Sequence, residues 1–439
     1  MTEGMSQEQR WWRYRIFLLT WLVYAGFYLC RKNLSVVMPL LMDDLGYTKP
    51  ELAWMITGYS AIYMIGQFAN GLLSDRFGPR LILGIGLLVS VTTNVAMGVG
   101  ASSLIFFGLL HVANGYGQST GWSGTVKNMS AWFQRKERGV VMAWWATCYS
   151  VGGVIATAFA TYVSTHETFL PELAWRRGFF APAALLLVIA LAYIVFTRNR
   201  PSDAGFEDFA DEAPVTTDMV ETARTEDTVA VWKAVLSSAP LWITGAMYFF
   251  LKLTRYAFLY WLPTYLVEGL AYQVRDAGYT STAYEIAGFC GVVTAGYVSD
   301  KLMRSRRFPV ACVMLALLAV SFLLYPLMGK TGLVVNITGI SLIGFMTYGP
   351  DALMTGAGAM DIGSEKAAGM ASGFINGMGS AGQVLSPLIV AYTANSSFGW
   401  NGLFLLFAGA SVIGAALMAV MWNHGVRKET AAAGADREG

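Results

Sequence analysis

Charge is what this sequence has least of. Lys, Arg, Asp and Glu make up 13% of its 439 residues, against 55% hydrophobic residues. Soluble globular chains carry about 25% charged residues, so a soluble globular protein is excluded. Histidine is nearly absent, and His111, His166 and His424 are scattered along the chain, which argues against a metal centre. Cys30, Cys148, Cys290 and Cys312 all lie in apolar segments with no CxxC spacing. They read as small buried hydrophobes in a chain without a disulfide framework. No GxxxxGK[ST] loop is present to cradle ATP, and no nucleophile–base pair stands out. An enzyme is therefore not expected, nor is a cofactor. The net charge of +2 points to no nucleic-acid partner.

What the chain has instead is long apolar blocks. Twelve of them lie near 16–41, 52–73, 81–100, 103–128, 139–164, 177–197, 239–267, 279–298, 309–328, 332–358, 367–394 and 402–422. A helix of about 20 such residues crosses ~30 Å of hydrocarbon. The expected fold class is thus an all-α membrane protein with twelve transmembrane helices. The N-terminal MTEGMSQEQRWWRYR is polar and basic before a long apolar run, so the first apolar segment reads as a span and not as a cleaved signal. Residues 1–200 form an N-terminal six-helix half and 231–425 a C-terminal one. Between them, 201–230 is a polar, acidic, solvated linker, and 426–439 is a tail. The loops SDRFGPR, QRKERG and SDKLMRSRR carry the basic residues, as do both chain ends. By the positive-inside rule, both termini and the linker face the cytoplasm.

The halves resemble each other. GLLSDR at 71–76 returns as GYVSDK at 296–301, and nearly the same offset carries Arg31 onto Arg255. A parallel duplication places a binding site at the pseudo-twofold interface, near the bilayer midplane. A charge at that depth costs at least a few kcal/mol and marks a functional site by default. Each guanidinium is a planar fork that bonds carboxylate or phosphate bidentately, so a dianionic phosphoryl group would satisfy both. The alternative is that each arginine braces the bundle through a buried acid, Glu285 and Asp351 being the main candidates.

Five segments, YAGFYLCRKNLSVVMPLL, SDRFGPR, GWSGTVKNMSAWFQRKERG, RYAFLYWLPTYL and TYGPDALMTGAGAMDIGSEKAAGMASGF, carry a more specific signal. Together they resemble the organophosphate:phosphate antiporters of the major facilitator superfamily, over about Tyr14 to Trp422. The resemblance implies the major facilitator fold, two six-helix halves rocking about a central site. It further implies that Arg31 and Arg255 grip the substrate's phosphoryl group and that Tyr24, Tyr28, Tyr63, Trp122 and Tyr348 line the cavity. Lys32 matches the lysine of the RKN motif; as Arg31's neighbour it points elsewhere, toward an inter-helix contact. Glu285 matches an acid that exchanges partners with span-seven cations, and Lys127 a gate or headgroup contact.

The departures are as informative. Gln67 stands where well-known relatives carry lysine, Tyr149 where histidine is typical, Tyr260 in place of an aspartate and Ser380 in place of a tyrosine. Lys252 appears one turn before Arg255, where tyrosine is usual, and restores the cation lost at Gln67. Asp351 follows a Gly-Pro break and either neutralises these cations or meets a cationic or hydroxyl part of the substrate. The expected function is secondary transport, exchanging an organophosphate for inorganic phosphate by alternating access. The expected setting is a monomer in a bacterial inner membrane. A membrane sensor for a phosphorylated metabolite, or a facilitator of another organic anion such as a carboxylate, with or without proton coupling, stays open.

Overall fold

The computed structural model describes residues 5–100, 103–134, 137, 141–142, 144–166, 168–208, 237–303, 306–355 and 368–423. Among them the chain forms twelve long α-helices: α1 Gln7–Leu45, α2 Lys49–Phe77, α3 Pro79–Gly100, α4 Leu104–Trp132, α5 Thr147–Thr165, α6 Arg177–Phe196, α7 Ala239–Leu270, α8 Val274–Tyr297, α9 Arg307–Met328, α10 Leu333–Leu353, α11 Ala368–Ala394 and α12 Gly399–Val420.

Local chemistry sets several of these ends. Ser6 caps α1 by accepting from the Gln9 amide at 3.1 Å, so the helix starts well before the apolar run at Ile16. Gly46, at φ 68°, ends it in the left-handed region. At the start of α2 the Glu51 carboxylate accepts from the Thr48 amide at 2.8 Å and the Thr48 hydroxyl at 2.7 Å. The SDRFGPR turn is built on Gly78, at φ 85°. Beyond it the Arg80 amide donates to Asn199 Oδ1 at 2.9 Å and Arg80 Nε to the Ile194 carbonyl at 2.8 Å. The motif thus ties the α2–α3 turn to the last turn of α6.

Two expectations need adjustment. The Gly349-Pro350 pair does not break its span: α10 runs through it to Leu353. The eighth span begins earlier than expected, at Val274. Parts of other expectations lie outside the described residues: 139–140 and 143 of the fifth span, 356–358 of the tenth, 209–230 of the linker, the tail 426–439 and His424. The linker's opening is ordered, a 3-10 turn at Pro201–Ala204 whose Ser202 amide donates to Asp208 at 2.8 Å.

The duplication is visible in composition and packing. Among the described residues, the most apolar spans are the third and sixth helices of each half, α3, α6, α9 and α12, with mean hydropathies of 1.9, 2.6, 2.5 and 2.4. α10 and α11 are weaker, at 1.4 and 1.2, and the other six carry more polar residues. In the first half α3 packs on α4 and α6; in the second, α9 packs on α10 and α12. Close helix approach requires glycine in places: a Cβ on Gly152 of α5 would sit 2.7 Å from the Ala25 Cα of α1.

By mutual packing the chain divides into two compact units. One comprises Met1–Pro214 with Leu259–Thr282, the other Val215–Phe258 with Ala283–Gly439. The division falls inside α7, four residues before Pro263.

Candidate functional site

Arg31 lies fourteen residues before the end of α1, and Arg255 fifteen before the end of α7. At 1.5 Å per residue both sit roughly 22 Å from those ends. The register around them repeats. Tyr24 and Tyr28 precede Arg31 by seven and three residues, and Tyr248 and Lys252 precede Arg255 by the same intervals. These spacings put each set on one helix face.

In the first unit Arg31 is buried and caged. Its Nε and Nη2 donate to Gln118 Oε1 at 3.3 and 3.1 Å. Gln118, on α4, is oriented by its own donation to the Phe27 carbonyl at 2.9 Å. The guanidinium lies 4.9 Å from the ring centres of both Tyr28 and Tyr63. Each such contact contributes about 0.5–2 kcal/mol. That offsets part of the cost of burying the charge, and no carboxylate among the described residues pairs with Arg31 to offset the rest.

The aromatic cage extends outward. Tyr24 stands edge-on to Tyr28 and to Trp122, at 6.1 and 5.7 Å, and Tyr63 stacks on Tyr59. Tyr149 is half-buried against the aromatic cluster that includes Tyr24 and Trp145. Gln67 is half-buried one turn beyond Tyr63.

Lys32 does different work. Its Nζ donates to the Leu259 carbonyl of α7 at 3.1 Å, within the same unit. Pro263 lacks the amide hydrogen that would serve the carbonyl four residues earlier, and that carbonyl is Leu259's. Lys32 therefore meets a polar group that the helix itself leaves open. Tyr260, fully buried, belongs to this unit as well. Lys127, near the end of α4, pairs with Asp75 of the SDR motif at 2.9 Å, with both side chains exposed.

In the second unit Arg255 donates from Nη1 to Asp351 Oδ2 at 2.5 Å. Tyr248 donates to the other carboxylate oxygen at 2.8 Å. The Arg255 guanidinium lies 4.2 Å from the Tyr348 ring centre, and Tyr284 meets that ring edge-on. Lys252 is buried, with its Nζ 3.2 Å from Asn376 Oδ1 and 5.0 Å from the Tyr248 ring centre. Glu285, adjoining Tyr284 in sequence, is buried, and the acid that pairs with Arg255 is Asp351. Ser380 turns back to its own helix, donating to the Asn376 carbonyl at 2.9 Å.

The two units solve the same problem with different atoms. In each, an arginine on the first helix of a half meets an oxygen on the fourth helix, a neutral amide in one case and a carboxylate in the other. Counting formal charges at that depth, Arg31 contributes one positive charge. In the second half Lys252 and Arg255 stand against Asp351, and Glu285 is a further buried acid beside Tyr284. Each arginine thus stands in an apolar setting, Arg31 without a carboxylate partner and Arg255 on Asp351 with Lys252 one turn away, which is a chemistry for binding anions. Gln118, Tyr248 and Asn376 were not singled out from sequence. Tyr248 had a signal in the repeat, since it stands to Arg255 as Tyr24 stands to Arg31.

This fold and these buried cations define a membrane transporter, and the chain belongs to the Major Facilitator Superfamily, which it matches over residues 17–360. It is an integral membrane protein and not an enzyme. Within that superfamily it is similar to the organophosphate transporters that its motifs resemble. It is 29% identical to the glycerol-3-phosphate transporter of Bacillus subtilis (strain 168), over 95% of this chain and 94% of that protein. To a probable hexose phosphate transport protein of Chlamydia trachomatis serovar D it is also 29% identical, over 96% of this chain and 93% of the other. The fold matches a bacterial homologue of the human lysosomal transporter Spinster, with a TM-score of 0.74 at 13% identity over 95% and 96% of the two chains.

Proposed function

We propose that this protein is a secondary transporter that carries an organophosphate across the membrane in exchange for inorganic phosphate. The observation that carries the reading is the pair of matched arginines, Arg31 buried and Arg255 half-buried, each hydrogen-bonded to the fourth helix of its half. Arg31 and Arg255 grip the phosphoryl group, with Tyr28, Tyr63 and Tyr348 shaping their surroundings and Lys252 supplying a further cation. An unoccupied cation site carries uncompensated burial cost, and an anion removes it. That difference biases the carrier between its states, because a ligand shifts a conformational equilibrium only through differential affinity.

The carrier acts as a monomer in a bacterial inner membrane, with both termini in the cytoplasm; the basic loops SDRFGPR and QRKERG support that orientation. Names of relatives support phosphorylated substrates. The changed residues Gln67, Tyr149, Lys252 and Tyr260 favour an organic moiety different from that of the familiar sugar-phosphate carriers.

The test is exchange of labelled phosphate from loaded proteoliposomes against a panel of phosphorylated metabolites and dicarboxylates. Wild-type protein exchanges phosphate for at least one organophosphate, and Arg31→Ala abolishes the exchange. Retained exchange in Arg31→Ala, or dicarboxylate uptake with no competition by phosphate, overturns the reading.

A further inference from the structure

A cavity lies in the first unit, away from Arg31. It has a volume of about 310 Å³ and is lined by the start of α1, the end of α4 and the segment before α5. That is at the small end of the 300–1,000 Å³ range of ligand sites. Its walls divide by chemistry. Phe17, Phe133 and Val141 make an apolar interior, the exposed rings of Tyr14 and Trp144 edge it, and Arg10, Arg13 and Glu137 bring charges to it. A smaller apolar hollow of about 70 Å³ shares Phe133 and Val141 and prolongs the interior toward Met129.

Arg13 is 7% exposed. Its Nη2 pairs with Glu137, its Nη1 donates to Met5 Sδ, and the guanidinium lies over the Phe133 ring at 4.7 Å from its centre, so it holds the cavity wall in place. Arg10 is exposed and adds a positive charge that Glu137, already paired with Arg13, leaves uncompensated. Trp11, Tyr14 and Trp144 are strongly exposed around the same level. Amphipathic aromatics of this kind mark the depth of lipid headgroups.

From this geometry we infer that the cavity is a binding site for an anionic glycerophospholipid of the leaflet at which α1 begins. The phosphate rests against Arg10 at the rim, and an acyl chain enters the apolar interior along the α4–α5 seam. A free phosphate would leave the apolar walls wet, and a neutral lipid would leave the cationic rim unanswered. The two-part lining fits an amphiphile with a negative head.

Native mass spectrometry of the full-length protein, titrated with phosphatidylglycerol or phosphatidylcholine, tests the assignment. Phosphatidylglycerol is retained preferentially by wild type, and Arg10→Gln, an exposed position, weakens its retention about fivefold, as expected for one lost basic contact. Val141→Trp, which fills the interior, weakens it while leaving the Arg10 rim in place. Equal retention of both lipids, or unchanged phosphatidylglycerol binding in Arg10→Gln, overturns the proposal. So does displacement of the lipid by millimolar glycerol phosphate, which would make this a site for soluble anions.

Discussion

Replacing Asp351 by asparagine keeps the shape of the second unit's site and removes the carboxylate that faces Arg255. In the native protein that carboxylate occupies the guanidinium at 2.5 Å and also holds the Tyr248 hydroxyl. Two unit charges about 4 Å apart attract by ~4 kcal/mol at an effective dielectric constant near 20. An arriving phosphate must give Arg255 at least as good a partner before it gains anything there. Asparagine still accepts from Tyr248 and Arg255 but no longer competes as a charge, and it leaves Lys252 and Arg255 with two positive charges instead of one. Part of the ~4 kcal/mol is returned as greater cost of the empty site, so a net gain of roughly 1.4–2.8 kcal/mol is expected. That corresponds to a 10- to 100-fold lower apparent KM for phosphate. Tighter holding of the anion also slows its release, so the maximal exchange rate falls. The assay is phosphate-loaded proteoliposome exchange with external phosphate varied, alongside thermal unfolding in detergent. An unchanged or raised KM in a folded Asp351→Asn protein refutes the argument and makes Asp351 a structural brace.

The reciprocal substitution tests the same logic in the first half: Gln118→Glu gives Arg31 a counter-charge and raises the phosphate KM by about tenfold or more, on the order of 1.4 kcal/mol. An unchanged KM there would sink the charge-balance account. Lys32→Met leaves the Leu259 carbonyl open and lowers thermal stability by about 1–3 kcal/mol. In a Pro263→Ala background, where the helix can serve that carbonyl itself, the loss is much smaller, and strict additivity of the two changes in a double-mutant cycle would disprove the link. The Glu51 carboxyl is held below its usual value of 4.5 by its hydrogen bonds from the Thr48 side chain and backbone. Its folded-state pKa is depressed, so its contribution to stability is present above the unfolded value and is lost as pH falls through the folded one. Melting temperatures of wild type and Glu51→Ala should therefore differ at pH 7 and converge as the pH is lowered through the carboxyl's depressed folded value, and a constant difference across the acid range contradicts the capping role.

Low charge and long apolar blocks determined the class of this protein before any coordinates, because hydrocarbon admits only segments that satisfy their own backbone. The repeat of Arg31 at Arg255 was equally legible, since duplication preserves spacing. So were the tyrosines at seven and three residues before Arg31, because helical periodicity fixes the face they share. Sequence could not say what each cation touches. That Arg31 rests on the amide of Gln118 while Arg255 rests on the carboxylate of Asp351 depends on how the fourth helix of each half packs, and those contacts join residues 87 and 96 apart in the chain. The Ser380 hydroxyl donates to the carbonyl one turn back on its own helix, a contact that only the rotamer chosen in the fold decides. The Lys32 contact needed both levels. Pro263 announces an open carbonyl at Leu259 from sequence alone, but only tertiary packing, which brings α1 to α7 across 227 residues, decides that Lys32 is the donor that meets it.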